Sequence, residues 1–319
     1  MSLNIDRRSA AILGFGAYRP STVVTNDDLA QRVDTDDDWI TSRVGIKERR
    51  FADESETIVS MAVEASRDAL ANAGITAEDL DLVILATCTA VSQLPSAAPQ
   101  VAHILGAKAP GAYDVNAACA GFCYALSQAS NAIQVGDATT ALVVGVEKLT
   151  DWVDPQDRST CIIFADGAGA AIVGRSETQQ IGPAVWGSAG DRPEAIIVRD
   201  RDSLMEMDGR AVFRWATTEV RPQIEKICTA AGITMRDIDV FVPHQANLRI
   251  TTNMLRALDF REDVVVAKDI EYSGNTSAAS IPLAIQRLVA DGLARSGDKV
   301  LTIGFGAGLT YAGQIFVMP

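Results

Sequence analysis

The chain has 319 residues, of which 48% are hydrophobic and 22% charged, and its net charge is −13 at pH 7. This length allows one large domain or two ordinary ones, and the composition allows a large buried core. The negative charge argues against nucleic acid as a partner, because phosphates would be repelled, but it is compatible with a local basic patch that receives an acidic protein.

The cysteine pattern limits the compartment and the kind of site. There are five cysteines, an odd number, and no CxxC pair. A disulfide framework and a metal site are therefore not expected, and a reducing, cytoplasmic environment is. The N-terminal segment lacks a long apolar run, so we expect no signal peptide.

Strands and helices alternate along the first half of the chain. A strand at 10–16 precedes a short helix capped by Asn26 and a second helix that contains Trp39 and Arg43. Residues 55–73 repeat apolar side chains with a helical period. The further predicted elements are a strand at 82–86, a helix at 95–105, strands at 142–146 and 161–165, and a glycine-rich turn entering a strand at 166–173.

The second half repeats the first. The peptide AGIT at 73–76 recurs at 231–234, and each copy leads into a hydrophobic strand. Two similar halves are predicted, at 1–174 and 175–319, in an α/β fold with mixed sheets and with helices both outside and between them. The second half is expected to hold helices at 213–231, 248–258 and 278–293 and strands at 240–242 and 300–303.

The most unusual stretch is 114–136. Its last 22 residues, 115–136, carry no charge, a length that could cross a membrane, but six Asn, Ser and Gln side chains would be left in lipid. A strand, a tight turn and a buried helix are the better interpretation, with Cys119 in the first helical turn. There the helix dipole would favour a thiolate. The alternative is a buried structural cysteine.

Three other candidates stand where a predicted strand ends or a turn precedes a helix. They are His244, Asn275 and the glycine loop at 304–308. The carboxyl ends of strands meet at one crevice in layered α/β folds, so these groups and Cys119 are expected to converge. Thiol, imidazole and amide suit covalent acyl chemistry. The other histidine, His103, has no turn or glycine beside it and is interpreted as structural.

Four motifs, DVNAACAGF, PHQANLRI, GNTSAAS and GFGAGLTY, in this order and spacing, resemble the β-ketoacyl-acyl carrier protein synthase III family of the thiolase superfamily. The resemblance implies a thiolase-like fold of two duplicated halves in αβαβα layers. It also implies a catalytic triad of Cys119, His244 and Asn275. An oxyanion site at the N–H of Cys119 and in the loop at Gly306 and Ala307 is implied as well, although the family usually has Gly-Gly-Gly where this chain has Gly-Ala-Gly.

The implied reaction initiates type II fatty-acid synthesis. An acyl-coenzyme A primer acylates the cysteine, malonyl-acyl carrier protein loses carbon dioxide, and the carbanion forms 3-oxoacyl-acyl carrier protein in a homodimer without a cofactor. Decarboxylation avoids a strong base, which fits a site with no carboxylate. The remaining residues implied by the resemblance are Trp39, Arg43 and Arg158 for coenzyme A, Leu94 for a pocket with room for a longer or branched acyl chain, and Arg214, Arg249 and Arg256 for the carrier protein.

Two rival functions stay open. One is a starter-unit acyltransferase or condensing enzyme of a polyketide pathway, and the transferase would use Cys119 without decarboxylation. The other is a non-catalytic partner subunit with the same fold, which would need no nucleophile. Retention of both His244 and Asn275 favours condensation.

Overall fold

The computed structural model describes residues 7–319. Residues 1–6 lie outside the described residues. They begin the N-terminal segment that is expected not to be a signal peptide. From residue 7 onwards, no helix is long and apolar enough to cross a membrane. The same part of the chain has no cluster of His, Cys, Asp and Glu side chains that could hold a metal ion.

The first half alternates strands and helices as its hydrophobic pattern predicts. Its longest outer helix, α3, starts at a capping box formed by Thr57 and Ser60 and ends at Gly74, whose φ of 67° favours glycine. The elements are β1 (Ser9–Tyr18), β2 (Thr22–Thr25), α1 (Asn26–Ala30), α2 (Asp37–Val44), β3 (Glu48–Phe51), α3 (Ile58–Ala73), β4 (Leu82–Ala86), α4 (Ala97–Leu105), β5 (Gly111–Val115), α5 (Gly121–Val135), β6 (Thr140–Lys148), α6 (Arg158–Cys161) and β7 (Asp166–Ser176).

The second half repeats the alternation of strands and helices, with additional short strands near its start. A single π-helical stretch, Ala216–Val220, joins two of its helices into one. The elements are β8 (Val185–Ser188), β9 (Ile196–Ile197), β10 (Glu206–Met207), α7 (Gly209–Trp215), α8 (Arg221–Ala230), β11 (Val240–Pro243), α9 (Leu248–Leu255), β12 (Val265–Val266), α10 (Ile270–Ser273), α11 (Ser280–Ala290), β13 (Lys299–Gly306) and β14 (Thr310–Val317).

The two large sheets have the same topology. The first has the order β5-β4-β6-β7-β1 and the second β12-β11-β13-β14-β8. In each, two parallel pairings are followed by two antiparallel ones. The duplication predicted from the AGIT repeat is thus present in the strand order. The proposed boundary at residue 174 lies inside β7, and the division into two domains stays a prediction.

Helices α5 and α11 lie between the two sheets. Phe122 and Leu126 of α5 and Ile281 and Ile285 of α11 are almost fully buried in one cluster with side chains of both sheets. Helices α3 and α4 cover the outer face of the first sheet, and α8 and α9 cover that of the second. These are the five layers that the resemblance implies, and the buried apolar faces explain why both central helices carry so little charge.

Some predicted elements are wrong in detail. Residues 161–165 do not form a strand, because the Asp157 carboxylate caps helix α6 and the chain then turns, leaving only one bridge, from Phe164 to Asn275. Thr25, not Asn26, caps α1. Strand β13 extends to Gly306, so the glycine loop belongs largely to the sheet.

Candidate active site

Cys119 lies at the turn between β5 and α5. It belongs to a short 3-10 segment, Ala118–Ala120, that precedes the helix rather than to the first turn of α5 as predicted. Strand β13 passes directly over this turn. A Cβ atom at Gly304 would come within 2.8 Å of the Ala120 Cα atom, and one at Gly306 would come within 2.9 Å of the Cys119 sulfur. The glycine loop therefore places bare backbone against the thiol, as its sequence predicts.

His244 follows β11 and is held from two sides. Its N–H donates to the Ile303 carbonyl oxygen at 2.8 Å, and its Nδ1 lies 2.7 Å from the Ser280 hydroxyl on α11. That hydroxyl oxygen also accepts the Gln245 N–H at 3.3 Å, so the hydroxyl can donate its proton to Nδ1. With Nδ1 accepting from Ser280, the ring proton would lie on Nε2, and the neutral imidazole could donate from there.

Asn275 is fixed through its backbone and its side-chain oxygen. Its N–H donates to the Ile163 carbonyl oxygen, and its own carbonyl oxygen accepts the Ala165 N–H, both at 2.9 Å. Its Oδ1 accepts the Ser277 N–H at 2.9 Å. With the oxygen engaged, the Nδ2 amide is the group left to donate into the cavity.

The three side chains meet as the sequence predicts. Cys119, His244 and Asn275 line one narrow cavity of about 90 Å³. It adjoins an outer groove of about 1120 Å³, with which it shares Ile163 and Met207 among other residues. On the other side it adjoins a second space of about 810 Å³. The cavity that holds the sulfur thus shares lining residues with two larger spaces. The residues common to the cavity and the second space are Cys88, Ala118, Ile196, Met205 and Ala307.

The predicted thiolate is wrong for the unliganded chain. Burial, with a smaller contribution from the Glu147 charge, raises the pKa of the Cys119 thiol to about 12. The Ser277 hydroxyl and the residue's own N–H lower the pKa only in part. Since the cysteine precedes α5 and is buried, desolvation outweighs the helix dipole.

A buried carboxylate lies beside the site, which contradicts the expectation of a site with no carboxylate. Glu147, at the end of β6, is fully buried and accepts the Ser277 hydroxyl at 3.0 Å. Burial raises its pKa. The signal was in the sequence: a lone acidic residue follows an uninterrupted apolar strand, a place where a charge is costly unless it is bonded.

The residues predicted for coenzyme A form one cluster. The guanidinium of Arg158 lies 4.6 Å from the centre of the Trp39 ring, and that of Arg43 lies 5.6 Å from it. Arg158 also donates to the Asp34 carbonyl oxygen at 2.6 Å. Trp39 and Arg43 line the outer groove.

The predicted docking arginines and Leu94 are on the surface. Arg214 and Arg249 line the outer groove, whereas Arg256 is exposed at the end of α9 and does not line it. None of the three forms an ion pair with a described residue. Leu94 is 88% exposed and lines neither the narrow cavity nor the second space of its own chain. An acyl pocket gated by Leu94 would therefore have to belong to a neighbouring subunit.

The electrostatics of His244 give a testable pH dependence. Burial lowers the pKa of this imidazole from 6.5 to about 3. The unfolded chain binds a proton near pH 6.5 and the folded chain does not, so stability is retained above that pH and lost as the pH falls from 6.5 towards 3, by about 1.4 kcal/mol per unit. We expect the His244 ring signals in NMR spectra to stay at neutral positions from pH 8 to pH 5. A titration midpoint near 6.5, assigned by its loss in His244→Gln, would contradict this.

Comparisons with known proteins agree with the geometry. Residues 113–190 match the family model 3-oxoacyl-[acyl-carrier-protein (ACP)] synthase III, and residues 228–318 match the model of its C-terminal region. The chain is 50% identical over 324 residues to the mycobacterial beta-ketoacyl-[acyl-carrier-protein] synthase III of Mycobacterium tuberculosis, covering 98% of this chain and 96% of that protein. The corresponding protein of Mycobacterium marinum is 49% identical over 323 residues, with the same coverage.

Two solved structures are similar in fold and in sequence. The priming β-ketosynthase of the R1128 polyketide biosynthetic pathway has a TM-score of 0.97 and 43% identity, covering 100% of this chain and 98% of that one. The 3-oxoacyl-[acyl-carrier-protein] synthase III of Aquifex aeolicus has a TM-score of 0.93 and 40% identity, covering 97% and 100%. The predicted thiolase-like fold is thereby confirmed. The chain belongs to the 3-oxoacyl-[acyl-carrier-protein] synthase III family and is an acyl-transferring condensing enzyme.

Proposed function

We propose that this chain condenses a short acyl-coenzyme A primer with malonyl-acyl carrier protein and so initiates type II fatty-acid synthesis. The observation that carries the proposal is that Cys119, His244 and Asn275 line one cavity, which borders two larger spaces. A thiol beside two neutral hydrogen-bond donors suits an acyl-enzyme followed by an enolate.

In the first half-reaction the Cys119 sulfur attacks the primer thioester. The tetrahedral oxyanion is held by the Cys119 N–H and by the backbone of Gly306 and Ala307, since β13 lies against the thiol. The alanine in the loop retains its backbone donor. Coenzyme A departs as its thiol, taking up the proton of Cys119, and leaves the acyl group on the sulfur.

In the second half-reaction malonyl-acyl carrier protein enters the same cavity. The Nε2–H of His244 and the Nδ2 amide of Asn275 donate to its thioester oxygen and stabilise the enolate as carbon dioxide leaves. Burial keeps His244 neutral, so neither donor needs to change its protonation state. The carbanion then attacks the acyl group on Cys119, the C–S bond breaks, and 3-oxoacyl-acyl carrier protein leaves while the Cys119 sulfur takes up a proton from water.

The outer groove is the entry for coenzyme A in this proposal. Trp39 and Arg158 would stack on the two faces of the adenine, with Arg43 beside them. In the unliganded chain the Arg158 guanidinium already covers the Trp39 ring at 4.6 Å, which leaves no room for a third flat group between them. Adenine binding would therefore displace Arg158 from the ring and from the Asp34 carbonyl oxygen.

The carrier protein would dock at the same groove. Arg214 and Arg249 line it and Arg256 lies further along α9, and none of these guanidinium groups is paired with a carboxylate of the described chain. On a chain with a net charge of −13, such unpaired cations are where an acidic carrier protein would be attracted.

The assembly proposed for this function is a homodimer. Among residues 7–319, strand β5 pairs with β4 alone, and the apolar side chains of Val91, Leu94 and Tyr113 near it are exposed. A second copy covering this edge would bring Leu94 to the acyl space of its partner, where a leucine leaves room for a longer or branched acyl chain. The enzyme would act in the cytoplasm and need no cofactor.

A starter-unit role in a polyketide pathway is the second candidate, favoured by the likeness to the R1128 priming ketosynthase. Release of carbon dioxide separates condensation from simple acyl transfer. We expect the chain, once acylated by an acyl-coenzyme A, to release one carbon dioxide from malonyl-acyl carrier protein for each 3-oxoacyl product. Acyl transfer to the carrier protein without carbon dioxide release would overturn the proposal. In a separate experiment, competition among acyl-coenzymes A of different length would define the primer.

A further inference from the structure

The buried carboxylate beside the site is bonded by several donors and by no cation. The Glu147 carboxylate accepts the Thr89 hydroxyl at 2.7 Å, the Thr87 hydroxyl at 3.1 Å and the Cys88 N–H at 3.0 Å. The Cys88 thiol faces it at 3.3 Å. Within residues 7–319 no lysine, arginine or histidine lies within ion-pair distance of it. A fully buried charge without a counterion is costly, so its retention needs a reason.

The fourth residue bonded to this carboxylate reaches the active site. The Ser277 hydroxyl donates to Glu147 Oε1 at 3.0 Å, and the Ser277 N–H donates to Asn275 Oδ1 at 2.9 Å. Ser277 has a φ of 47°, a left-handed conformation that a non-glycine residue adopts only when its surroundings hold it there. The Ser277 hydroxyl also lies 3.8 Å from the Cys88 sulfur and lowers the pKa of the Cys119 thiol, but its shortest bond is to Glu147.

We propose that Glu147 is a positioning residue for condensation, because it holds Ser277 in the conformation whose N–H fixes Asn275 Oδ1 and thereby directs the Asn275 Nδ2 amide at the substrate oxygen. The inference rests on the proposed function and deepens it. Glu147 does not touch the substrate. Its positioning effect passes through the Ser277 hydroxyl and backbone N–H to Asn275, which acts in the second half-reaction, whereas its charge acts on the Cys119 thiol by raising its pKa.

The position of each group supports this over a purely structural role. Thr87, Cys88 and Thr89 follow β4, Glu147 ends β6 and Ser277 precedes α11, so the carboxylate ties the first sheet to the start of a central helix. A misdirected donor in a site of this kind costs catalysis far more than stability. The split between the two half-reactions is therefore the informative measurement.

The test uses Ser277→Ala, which removes the hydroxyl and keeps the N–H. Acylation by acetyl-coenzyme A is followed by intact mass, and carbon dioxide release from malonyl-acyl carrier protein is followed on the pre-acylated enzyme. We expect carbon dioxide release lower by about tenfold and a smaller loss in acylation, which loses only the effect of the Ser277 hydroxyl on the pKa of the Cys119 thiol. Glu147→Leu should give the same split, and Glu147→Gln, which keeps an oxygen for the Ser277 hydroxyl, should restore most of the rate.

Coupling and a matched control complete the experiment. Ser277→Ala combined with Glu147→Leu should be no slower than the worse single variant, because both act through one path. Asp166→Asn is the control, since Asp166 is also buried and bonded by Thr150 and Ala52 but not by Ser277. Its half-reactions should remain in their wild-type ratio. The inference is overturned if Ser277→Ala leaves the condensation rate unchanged or lowers both half-reactions equally. A wild-type chain that performs neither half-reaction overturns the proposed function and the inference with it.

Discussion

Cys119→Ala is expected to abolish acylation by acyl-coenzyme A. The sulfur is the only nucleophile that the proposal assigns to the site, and removing such a group lowers turnover by about 10⁴-fold or more. The substituted side chain is small and lies in a turn of small residues, so the fold should be retained. Intact mass after incubation with acetyl-coenzyme A should show one added acyl group on the wild-type chain and none on the variant.

Two other cysteines serve as controls for that experiment. Cys123 is fully buried in the first turn of α5 and does not line the cavity, so Cys123→Ala should still be acylated. Cys88 does line the cavity, so Cys88→Ala tests whether the label is on the correct sulfur. Acylation of the Cys119→Ala chain, or a label mapped to Cys88, would remove the proposed mechanism.

The sequence predicts the architecture well because the features that specify it are local and repeated. The AGIT peptides mark equivalent helix ends in two halves, and the strand order of both sheets confirms the duplication. Cys119, His244 and Asn275 could be placed together because each stands beside a strand end or a turn that leads to a helix. The strand predicted at 161–165 is wrong because apolar content alone does not distinguish a strand from a buried turn.

The electrostatics of the site could not be read from the sequence. The dipole argument for a thiolate uses one helix, whereas the pKa of Cys119 depends on everything that removes water from it and on a carboxylate 28 positions further along the chain. Glu147 also shows why a site cannot be declared free of carboxylates from its motifs alone. Its partners come from the loop after β4 and from the turn before α11, which only the folded chain brings to β6.

The second large effect is expected for His244→Ala and Asn275→Ala. Each removes one donor to the enolate oxygen, and loss of such a donor costs about 10² to 10³ in rate. Carbon dioxide release from malonyl-acyl carrier protein should therefore fall by that factor in each variant. Acylation of Cys119 should stay within a few-fold of wild type, because that step uses the backbone donors of the Cys119 turn and the glycine loop.

The histidine result carries the most information about the mechanism. If His244 acted as the base for the Cys119 thiol, its removal would slow acylation as much as condensation. Its lowered pKa and its bond to Ser280 indicate the opposite, a neutral ring that donates from Nε2. His103→Ala, which changes an exposed side chain on α4, should leave both steps unchanged. Equal losses in the two half-reactions of His244→Ala would mean that the imidazole also moves the thiol proton. The proposal that His244 acts only as a hydrogen-bond donor in condensation would then be wrong.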